Sequence, residues 1–277
     1  NQVGSETTWS KVDCGNSFTI AVKSDGTLWS WGYNAFGELG LGTVTNMSSP
    51  NQVGSLTNWA NIACGIDSTI AVKTNGTLWS WGMNSFGELG LGNKTYYSSP
   101  KQVGALTTWS KVGAGSYDSF AIKTDGTLWS WGSNDNGQLG QGNTTWYSSP
   151  VQVGSLTNWN SISAGYYHSI ATKTDGTLWS WGYNGNGQLG LGNTTYYSSP
   201  KQVGALTDWL SVACAYNSTF AIKTDGTLWS WGYNNYGQLG LNTAAAYYSS
   251  PKQVGALTSW TKLFKGSTAN STLAIHT

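Results

Sequence analysis

The sequence has few charged residues, histidines and cysteines, and these shortages exclude several kinds of function. Only 9% of the 277 residues are charged and the net charge is +1, so no basic stripe is present that could neutralise nucleic-acid phosphates or bind an anionic membrane. No apolar run approaches the 18 residues that a membrane-spanning helix needs. The chain has two histidines, and the sequence offers neither a nucleophile with its base nor a cluster of metal ligands. We expect no enzyme, cofactor, metal, nucleic-acid partner or membrane contact.

One string of residues returns at a strict interval of 50. It reads Gly-Thr-Leu-Trp-Ser-Trp-Gly-Tyr-Asn-Ala-Phe-Gly-Glu-Leu-Gly-Leu-Gly over residues 26–42, and its copies begin at Gly76, Gly126, Gly176 and Gly226. Five full repeats cover residues 1–50, 51–100, 101–150, 151–200 and 201–251, and residues 252–277 give the first half of a sixth. A fixed period of this length is typical of stacked supersecondary units that share one core, so we treat residues 1–277 as one domain.

Each repeat carries the pattern of four short strands. Residues 218–232 contain two strand-like runs around Thr-Asp-Gly-Thr, which predicts a hairpin with a two-residue Asp-Gly turn. A further strand is predicted at Trp9–Val12 and its copies, and a short one at the Gln-Val-Gly that follows each Ser-Ser-Pro. The sequence therefore predicts an all-β fold, a β-propeller of four-stranded blades. The competing parallel β-helix has shorter coils than this unit.

The repeated string, read as Gly-x-Leu-Trp-Ser-Trp-Gly-x-Asn-x-x-Gly-Gln-Leu-Gly after an Ala-x-Gly-x-x-(Asp/His)-Ser stretch, resembles the RCC1 repeat (regulator of chromosome condensation) over the whole chain. The resemblance implies a β-propeller, typically of seven blades, that acts as a binding platform. Known uses in the family are nucleotide exchange on a small GTPase, chromatin docking and inhibition of β-lactamases by a secreted bacterial propeller.

The number of repeats favours a six-bladed ring with one incomplete blade. A propeller normally closes with strands from both termini in one blade, which leaves no open edge. We expect Gln2-Val3 to complete the blade that residues 261–277 begin. The alternatives are a seven-bladed ring, an open excerpt of a longer array, or two chains that complete each other. We expect a monomer, with a strand-completing dimer as the alternative.

Most polar residues that could carry chemistry have a structural interpretation. Cys14, Cys64 and Cys214 share one register with Ala114 and Ala164, which favours a small residue packed on an inner strand over a disulfide or a metal site. Four aspartates belong to the hairpin turns, where the side chain bonds to nearby backbone groups: Asp25, Asp125, Asp175 and Asp225. Glu38 and Glu88 replace the Gln of later copies, so we expect them to make hydrogen bonds in a loop. His276 is interpreted as an exposed edge residue.

The copies differ mainly in three loop clusters. The first is the turn that includes Asn16-Ser17 and its copies, and the second includes Ala35-Phe36 and its copies. The third contains Tyr96-Tyr97, Trp146-Tyr147, Tyr196-Tyr197 and Tyr247-Tyr248, and its regularity favours a structural role. In the first cluster, Asp67, Asp118 and His168 match the Asp or His that lines the partner-facing surface of the GTPase-exchange member of the family. The predicted partner-binding residues are Asp67, Tyr117, Asp118, Tyr167, His168 and Tyr216.

The combined interpretation is a non-catalytic scaffold that binds a protein partner through one loop face. A lectin-like propeller that binds several glycans is an alternative, because aromatic and amide loops recur in each repeat. A recently amplified repeat protein with no evolved partner is another. Low charge together with many Ser, Thr and Asn residues predicts an extracellular or cell-surface protein, with a secreted bacterial protein as one version.

Overall fold

The computed structural model describes residues 7–243, 245–265 and 272–276. These residues form strands β1 to β22 and contain no helix that could cross a membrane. The first strands of the six units are β1(Trp9–Cys14), β5(Trp59–Cys64), β9(Trp109–Ala114), β13(Trp159–Ala164), β17(Trp209–Cys214) and β21(Trp260–Phe264). The second strands are β2(Phe18–Lys23), β6(Ser68–Lys73), β10(Asp118–Lys123), β14(His168–Lys173), β18(Ser218–Lys223) and β22(Leu273–His276). The third strands are β3(Leu28–Gly32), β7(Leu78–Gly82), β11(Leu128–Gly132), β15(Leu178–Gly182) and β19(Leu228–Tyr233). The fourth strands are β4(Met47–Gln52), β8(Tyr97–Gln102), β12(Tyr147–Gln152), β16(Tyr197–Gln202) and β20(Tyr247–Gln253).

Each full repeat is one antiparallel sheet whose strands neighbour each other in chain order, and we call these sheets blades 1 to 5. The sixth unit is the two-stranded sheet β21-β22. The prediction of a β-propeller with four-stranded blades is confirmed. The predicted contribution of Gln2-Val3 to the sixth unit lies outside the described residues.

The hairpin turn was predicted in the right place but with the wrong geometry. Only Gly26 has positive φ, at 80°, while Asp25 does not. The Gly26 N–H donates to the Lys23 carbonyl at 2.9 Å and the Lys23 N–H donates to the Thr27 carbonyl at 3.0 Å, which is a turn followed by a glycine bulge. Asp25 Oδ1 accepts bonds from the backbone N–H and the hydroxyl of Thr27, at 2.9 and 2.7 Å. Asn75 makes the same two bonds to Thr77, so the expected exchange of Asp for Asn is confirmed.

The fourth strand begins and ends earlier than the sequence predicted. It contains the Ser-Ser-Pro segment and ends at the glutamine, so Val53 and Gly54 follow it and are not part of it. Proline lies inside this strand because the strand is the outer edge of its blade, where a backbone donor is not needed.

Neighbouring blades are joined by one repeated pair of hydrogen bonds. In blade 2, the Trp81 indole and the Thr69 hydroxyl both donate to the backbone carbonyl of Glu38 in blade 1, each at 2.9 Å. The same pair reaches Glu88 from blade 3, Gln138 from blade 4 and Gln188 from blade 5. The four tryptophans that donate these bonds are fully buried: Trp81, Trp131, Trp181 and Trp231. Blades 2 to 5 therefore each complete their core on the blade before them.

The six inner strands line one central channel with a cavity of about 490 Å³. Its lining includes Val12 of β1, Ile62 of β5 and Leu263 of β21. The first and sixth units thus reach the same axis as the four blades between them.

Candidate binding face

The topology places all three divergent clusters on one face of the propeller. The start of each second strand pairs with the end of the third, as Phe18 pairs with Gly32, so the first turn and the long third connection lie at the same end of the blade. We call this end the variable face. The opposite face, which we call the hairpin face, carries the turn around Gly26 and its copies, and the Gly26 turn packs on the next connection at Thr57. There a Cβ on Gly26 would lie 2.1 Å from the Thr57 carbonyl oxygen, so the hairpin turn leaves no room for a side chain.

A buried asparagine fixes each long connection on the variable face. Asn184 is 0% exposed, and its amide donates to the carbonyls of Asn193 and Thr195 at 2.9 and 3.0 Å. Its Oδ1 accepts the Leu189 N–H at 2.9 Å. Asn34, Asn84, Asn134 and Asn234 make equivalent bonds. The connection can therefore vary in sequence between its fixed points without losing its shape.

Aromatic side chains form a continuous band across the variable face. Phe86 contacts both Trp146 and Tyr117, with ring centroids 5.0 and 4.7 Å apart. Tyr117 meets Tyr166 at 6.3 Å, and Tyr166 stacks on Tyr216 at 4.2 Å with an interplanar angle of 23°. The backbone supports the stack, because the Tyr166 N–H donates to the Tyr216 carbonyl at 3.1 Å. The band thus joins blades 2 to 5.

A branch extends the band along blade 4. Tyr167 packs on Tyr166 at 4.2 Å and approaches Tyr183, which in turn contacts Tyr196 at 4.6 Å. Partial burial together with the neighbouring Tyr183 hydroxyl raises the pKa of Tyr196 to about 12, and partial burial together with Tyr166 raises that of Tyr167. We define the aromatic band as Phe86, Tyr117, Trp146, Tyr166, Tyr167, Tyr183, Tyr196 and Tyr216. Each ring is held by another ring, and such pairs contribute about 0.5–1.5 kcal/mol beyond burial, so the band is a rigid surface.

The predicted site residues divide between this surface and the interior. Tyr117, Tyr167 and Tyr216 belong to the aromatic band, and Asp67 is half-buried in the equivalent turn of blade 2. Burial raises the pKa of Asp67. Sequence reasoning left five band members out of the predicted site. Phe86 and Tyr166 were in divergent clusters, Trp146 and Tyr196 were in the cluster interpreted as structural, and Tyr183 had no signal beyond its aromatic character.

Asp118 does not lie in the turn with Asp67. It is the first residue of β10, in the register of Ser68, and is 2% exposed. Neither carboxylate oxygen has a hydrogen-bond partner among the described residues, and burial raises its pKa well above the usual range. The expectation that Asp118 faces a partner is corrected, because a side chain this enclosed cannot be a surface contact.

His168 holds the same register in blade 4 and is also buried, with 1% exposure. Its Nε2 lies 3.0 Å from the Thr219 hydroxyl, which donates its own proton to the Gln188 carbonyl at 2.8 Å. His168 Nε2 must therefore be the donor. Burial lowers the pKa of His168 to about 3, so the ring is neutral. As with Asp118, the prediction of a surface contact is corrected, and His168 links blade 4 to blade 5.

The two residues of each aromatic pair in the third cluster lie in different environments. Their second members support the expected structural role, since Tyr147 packs against two core clusters and its hydroxyl bonds to Asn143 at 3.1 Å. Their first members are exposed at the variable face: 42% for Tyr96, 38% for Trp146 and 47% for Tyr196. The Trp146 indole donates to Asp135 at 2.9 Å. The structural interpretation therefore holds for one residue of each pair.

Most of the other expectations about polar residues agree with the structure. Cys64 and Cys214 are buried in core clusters, as expected for a small residue packed on an inner strand, whereas Cys14 is exposed. Glu38 Oε2 accepts the Phe36 N–H at 2.8 Å, as Gln138 does for Asn136. His276 is exposed at the edge strand β22 and packs on Trp260.

One charged residue at the channel was not predicted. Lys265 takes the register that holds Cys or Ala in the five full repeats. Its ammonium donates to the carbonyls of Cys64, at 2.9 Å, and Ala114. These carbonyls end their inner strands, so Lys265 lies at the variable-face end of the channel. A lysine in a position otherwise kept for small residues was the signal available in the sequence.

The comparisons with known proteins agree with this architecture. The family model described as "RCC1-like domain" matches residues 1–274. The crystal structure of Prp20p from Saccharomyces cerevisiae, a protein that binds Gsp1p and histones, has a TM-score of 0.83 at 20% identity, and the match covers 97% of this chain and 69% of Prp20p. Human WBSCR16 has a TM-score of 0.82 at 20% identity, with coverage of 93% and 69%. Yeast RCC1 (Prp20) bound to Kap60 gives 0.82 at 20% identity, with coverage of 97% and 68%. No curated protein sequence matches the chain.

Proposed function

Because the chain belongs to the RCC1-like domain family, we propose that it is a non-catalytic scaffold that binds a protein partner through the variable face. The observation that carries this proposal is the aromatic band, which runs across four blades at the face where the repeats diverge. Prp20p, which has a similar fold, binds Gsp1p and histones and has been solved bound to Kap60. Those partners belong to Prp20p, and the chemistry of the variable face indicates what kind of partner fits this chain.

The chemistry of the band favours a partner surface that is neither strongly acidic nor strongly basic. Tyrosine and tryptophan give large contact areas with a polar tip and lose little conformational entropy on binding. Their mutual packing restricts the side chains before the partner arrives, which lowers the cost of association. The nearby ionisable groups are few, and Glu38 and Glu88 are buried. We therefore expect binding that changes little between low and physiological salt.

A non-catalytic role is consistent with the groups at this face. The buried His168 is a neutral donor to Thr219, and the Thr219 hydroxyl is already committed to a carbonyl. This arrangement gives no activated nucleophile. A turnover assay on the native chain and on His168→Ala addresses the point directly, because activity that this change abolishes would contradict the proposal.

Site-specific photocrosslinking in cells of the natural source would test the binding face. A photoreactive phenylalanine analogue replaces Tyr117 in one variant and Leu156 in the control, which is 45% exposed on the connection at the hairpin face. We expect a discrete protein adduct from position 117 only, identifiable by mass spectrometry. An adduct from position 156 alone would place the interface on the other face and contradict the proposal.

A glycan-binding function is the second candidate, since Tyr96, Trp146 and Tyr196 are exposed at equivalent positions of three repeats. A glycan array probed with the native chain distinguishes the two. Saturable binding of several glycans per chain, lost when these three residues are replaced by alanine, would favour the lectin. Under the protein-binding proposal the array shows no such binding.

A further inference from the structure

The first divergent turn brings equivalent residues of neighbouring blades into direct contact. The Asn16 N–H donates to the Ile66 carbonyl at 3.0 Å, and the Ile66 N–H donates to the Ser116 carbonyl at 3.1 Å. The Tyr166 N–H donates to the Tyr216 carbonyl in the same way, at 3.1 Å. Among the five full repeats, two consecutive copies carry tyrosine at this position only in repeats 4 and 5. The repeat geometry therefore pairs two phenols across the junction of blades 4 and 5.

The paired rings lie close together and nearly parallel. The ring centroids of Tyr166 and Tyr216 are 4.2 Å apart, with an interplanar angle of 23°. In such a stack, the carbons ortho to the two phenol oxygens can approach each other. Tyr166 and Tyr167 are also 4.2 Å apart, and Tyr183 and Tyr196 are 4.6 Å apart, but these pairs are T-shaped. In a T-shaped pair the edge of one ring meets the face of the other, so the stacked pair has the better geometry for a bond between two ortho carbons.

The stacked pair is held in place and is also reached by solvent. Tyr166 and Tyr216 are both half-buried, so a small oxidant can meet the phenols. On its other sides Tyr166 contacts Tyr117 and Tyr167, which restrict the movement of its ring. Burial, and then the neighbouring Tyr166, raise the pKa of Tyr216. The Tyr216 phenol is therefore protonated at neutral pH, and it must release its proton when it loses an electron.

We propose that Tyr166 and Tyr216 form a modification site at which a one-electron oxidant links blades 4 and 5 through a dityrosine bond. Each phenol gives one electron to the oxidant and one proton to water. A carbon–carbon bond forms between the ortho carbons of the two phenoxyl radicals. The C–H bonds at these carbons then break, and each oxygen regains a proton. The net change is a loss of two electrons and two protons. With a haem peroxidase as catalyst, one hydrogen peroxide takes them up and becomes two waters.

The bond would join residues that are one full repeat of 50 residues apart in the chain. A covalent link of this span constrains the unfolded chain, as a disulfide does. The oxidised protein should therefore unfold at a higher urea concentration than the native protein. It should also keep blades 4 and 5 together at the variable face, whatever partner that face binds.

Photo-oxidation of the dilute full chain, followed by trypsin digestion and mass spectrometry, would test this inference. The oxidant is tris(bipyridyl)ruthenium(III), generated by light with persulfate as the final electron acceptor. We expect one linked product of the tryptic peptides 124–173 and 202–223, and the second of these contains Tyr216 as its single tyrosine. The link should disappear in Tyr166→Phe and in Tyr216→Phe. The matched control is Tyr247→Phe, which removes a tyrosine that is 46% exposed and should leave the yield unchanged.

The same reaction in urea gives a readout that does not depend on the variants. Unfolding should lower the yield of the link by about tenfold or more, because the folded chain holds the two rings in position to react. Three results would each overturn the inference. They are oxidised tyrosines without this link, a link that persists in Tyr166→Phe or in the unfolded chain at equal yield, and a product with the mass of two chains on a denaturing gel.

Discussion

Blades 1 and 2 contain nearly the same residues, but equivalent side chains are buried to different extents in the two blades. Trp81 is fully buried against the carbonyl of Glu38, whereas Trp31 at the same position is partly exposed. Val12 is 49% exposed and its equivalent Ile62 is 8% exposed. Blade 2 packs on the complete blade 1, whereas blade 1 has no four-stranded blade before it among the described residues. In a stacked array, burial is a property of the interface between units and not of the unit alone.

The largest expected effect comes from removing an indole at a complete interface. Trp131→Ala should lower the free energy of unfolding by about 3–5 kcal/mol, because it leaves a cavity and removes one of the two hydrogen bonds that join blades 2 and 3. Trp31→Ala should cost less than about 2 kcal/mol, since that side chain is partly solvated already. Urea unfolding of both variants measures the difference. Equal losses would show that blade 1 is covered in solution.

A smaller effect is expected from Glu38 and Glu88. They occupy, in blades 1 and 2, the position that glutamine holds in blades 3 to 5. Burial raises the pKa of Glu38 and Glu88 to about 7. A carboxyl whose pKa is raised on folding favours the folded state less as the pH rises from the unfolded value toward 7. The double variant Glu38→Gln/Glu88→Gln should therefore be more stable than the native chain at pH 8 and similar near pH 4.

Urea midpoints at the two pH values check this prediction. Part of the pH dependence should remain in the double variant, because burial also raises the pKa of Asp13, Asp67 and Asp118. Gln138, Gln188 and Gln238 already make the amide form of the contact in the later repeats. A native chain that is as stable as the double variant at pH 8 would contradict the prediction.

The smallest expected effect is a difference in reactivity among the three native cysteine thiols, and its measurement needs no substitution. Cys14 is exposed on the first strand of blade 1, whereas Cys64 and Cys214 are buried where their blades pack on the preceding blade. Burial raises the pKa of the Cys64 and Cys214 thiols, so both should react slowly with a thiol reagent at neutral pH. Cys14 should react first, and the other two only on unfolding. Simultaneous reaction of all three in the folded protein would mean that the interfaces open readily.

The sequence was sufficient to predict the features that depend on local chemistry. The 50-residue period, the four strands and the Asp25-type turns were predicted from Gly, Asp and Trp patterns that repeat in every copy. The shape of the turn was not predicted, because Asp25 uses its side chain to bond Thr27 and does not need positive φ. The Asp-Gly dipeptide is compatible with both turn geometries, and only the backbone bonds distinguish them.

The binding face could be predicted only in part, because it depends on which strand end each loop leaves. Asp67 and Asp118 looked equivalent as acidic residues near a turn, but a one-residue difference in register places one in the turn and the other on a buried strand. In a strand, neighbouring positions point to opposite sides. The aromatic band joins residues from different clusters and different blades, and no local pattern brings Phe86 beside Tyr117.

The central claim is that the variable face binds the partner. It is tested most directly by measuring how tightly the protein identified by photocrosslinking binds variants altered on each of the two faces. Surface plasmon resonance would compare the native chain with Tyr166→Ser in the aromatic band and with Leu156→Ser at the hairpin face. We predict at least a tenfold loss of affinity for Tyr166→Ser, the size expected for a central aromatic contact, and no change for Leu156→Ser. Unchanged affinity for Tyr166→Ser together with a loss for Leu156→Ser would contradict the proposal that the variable face binds the partner.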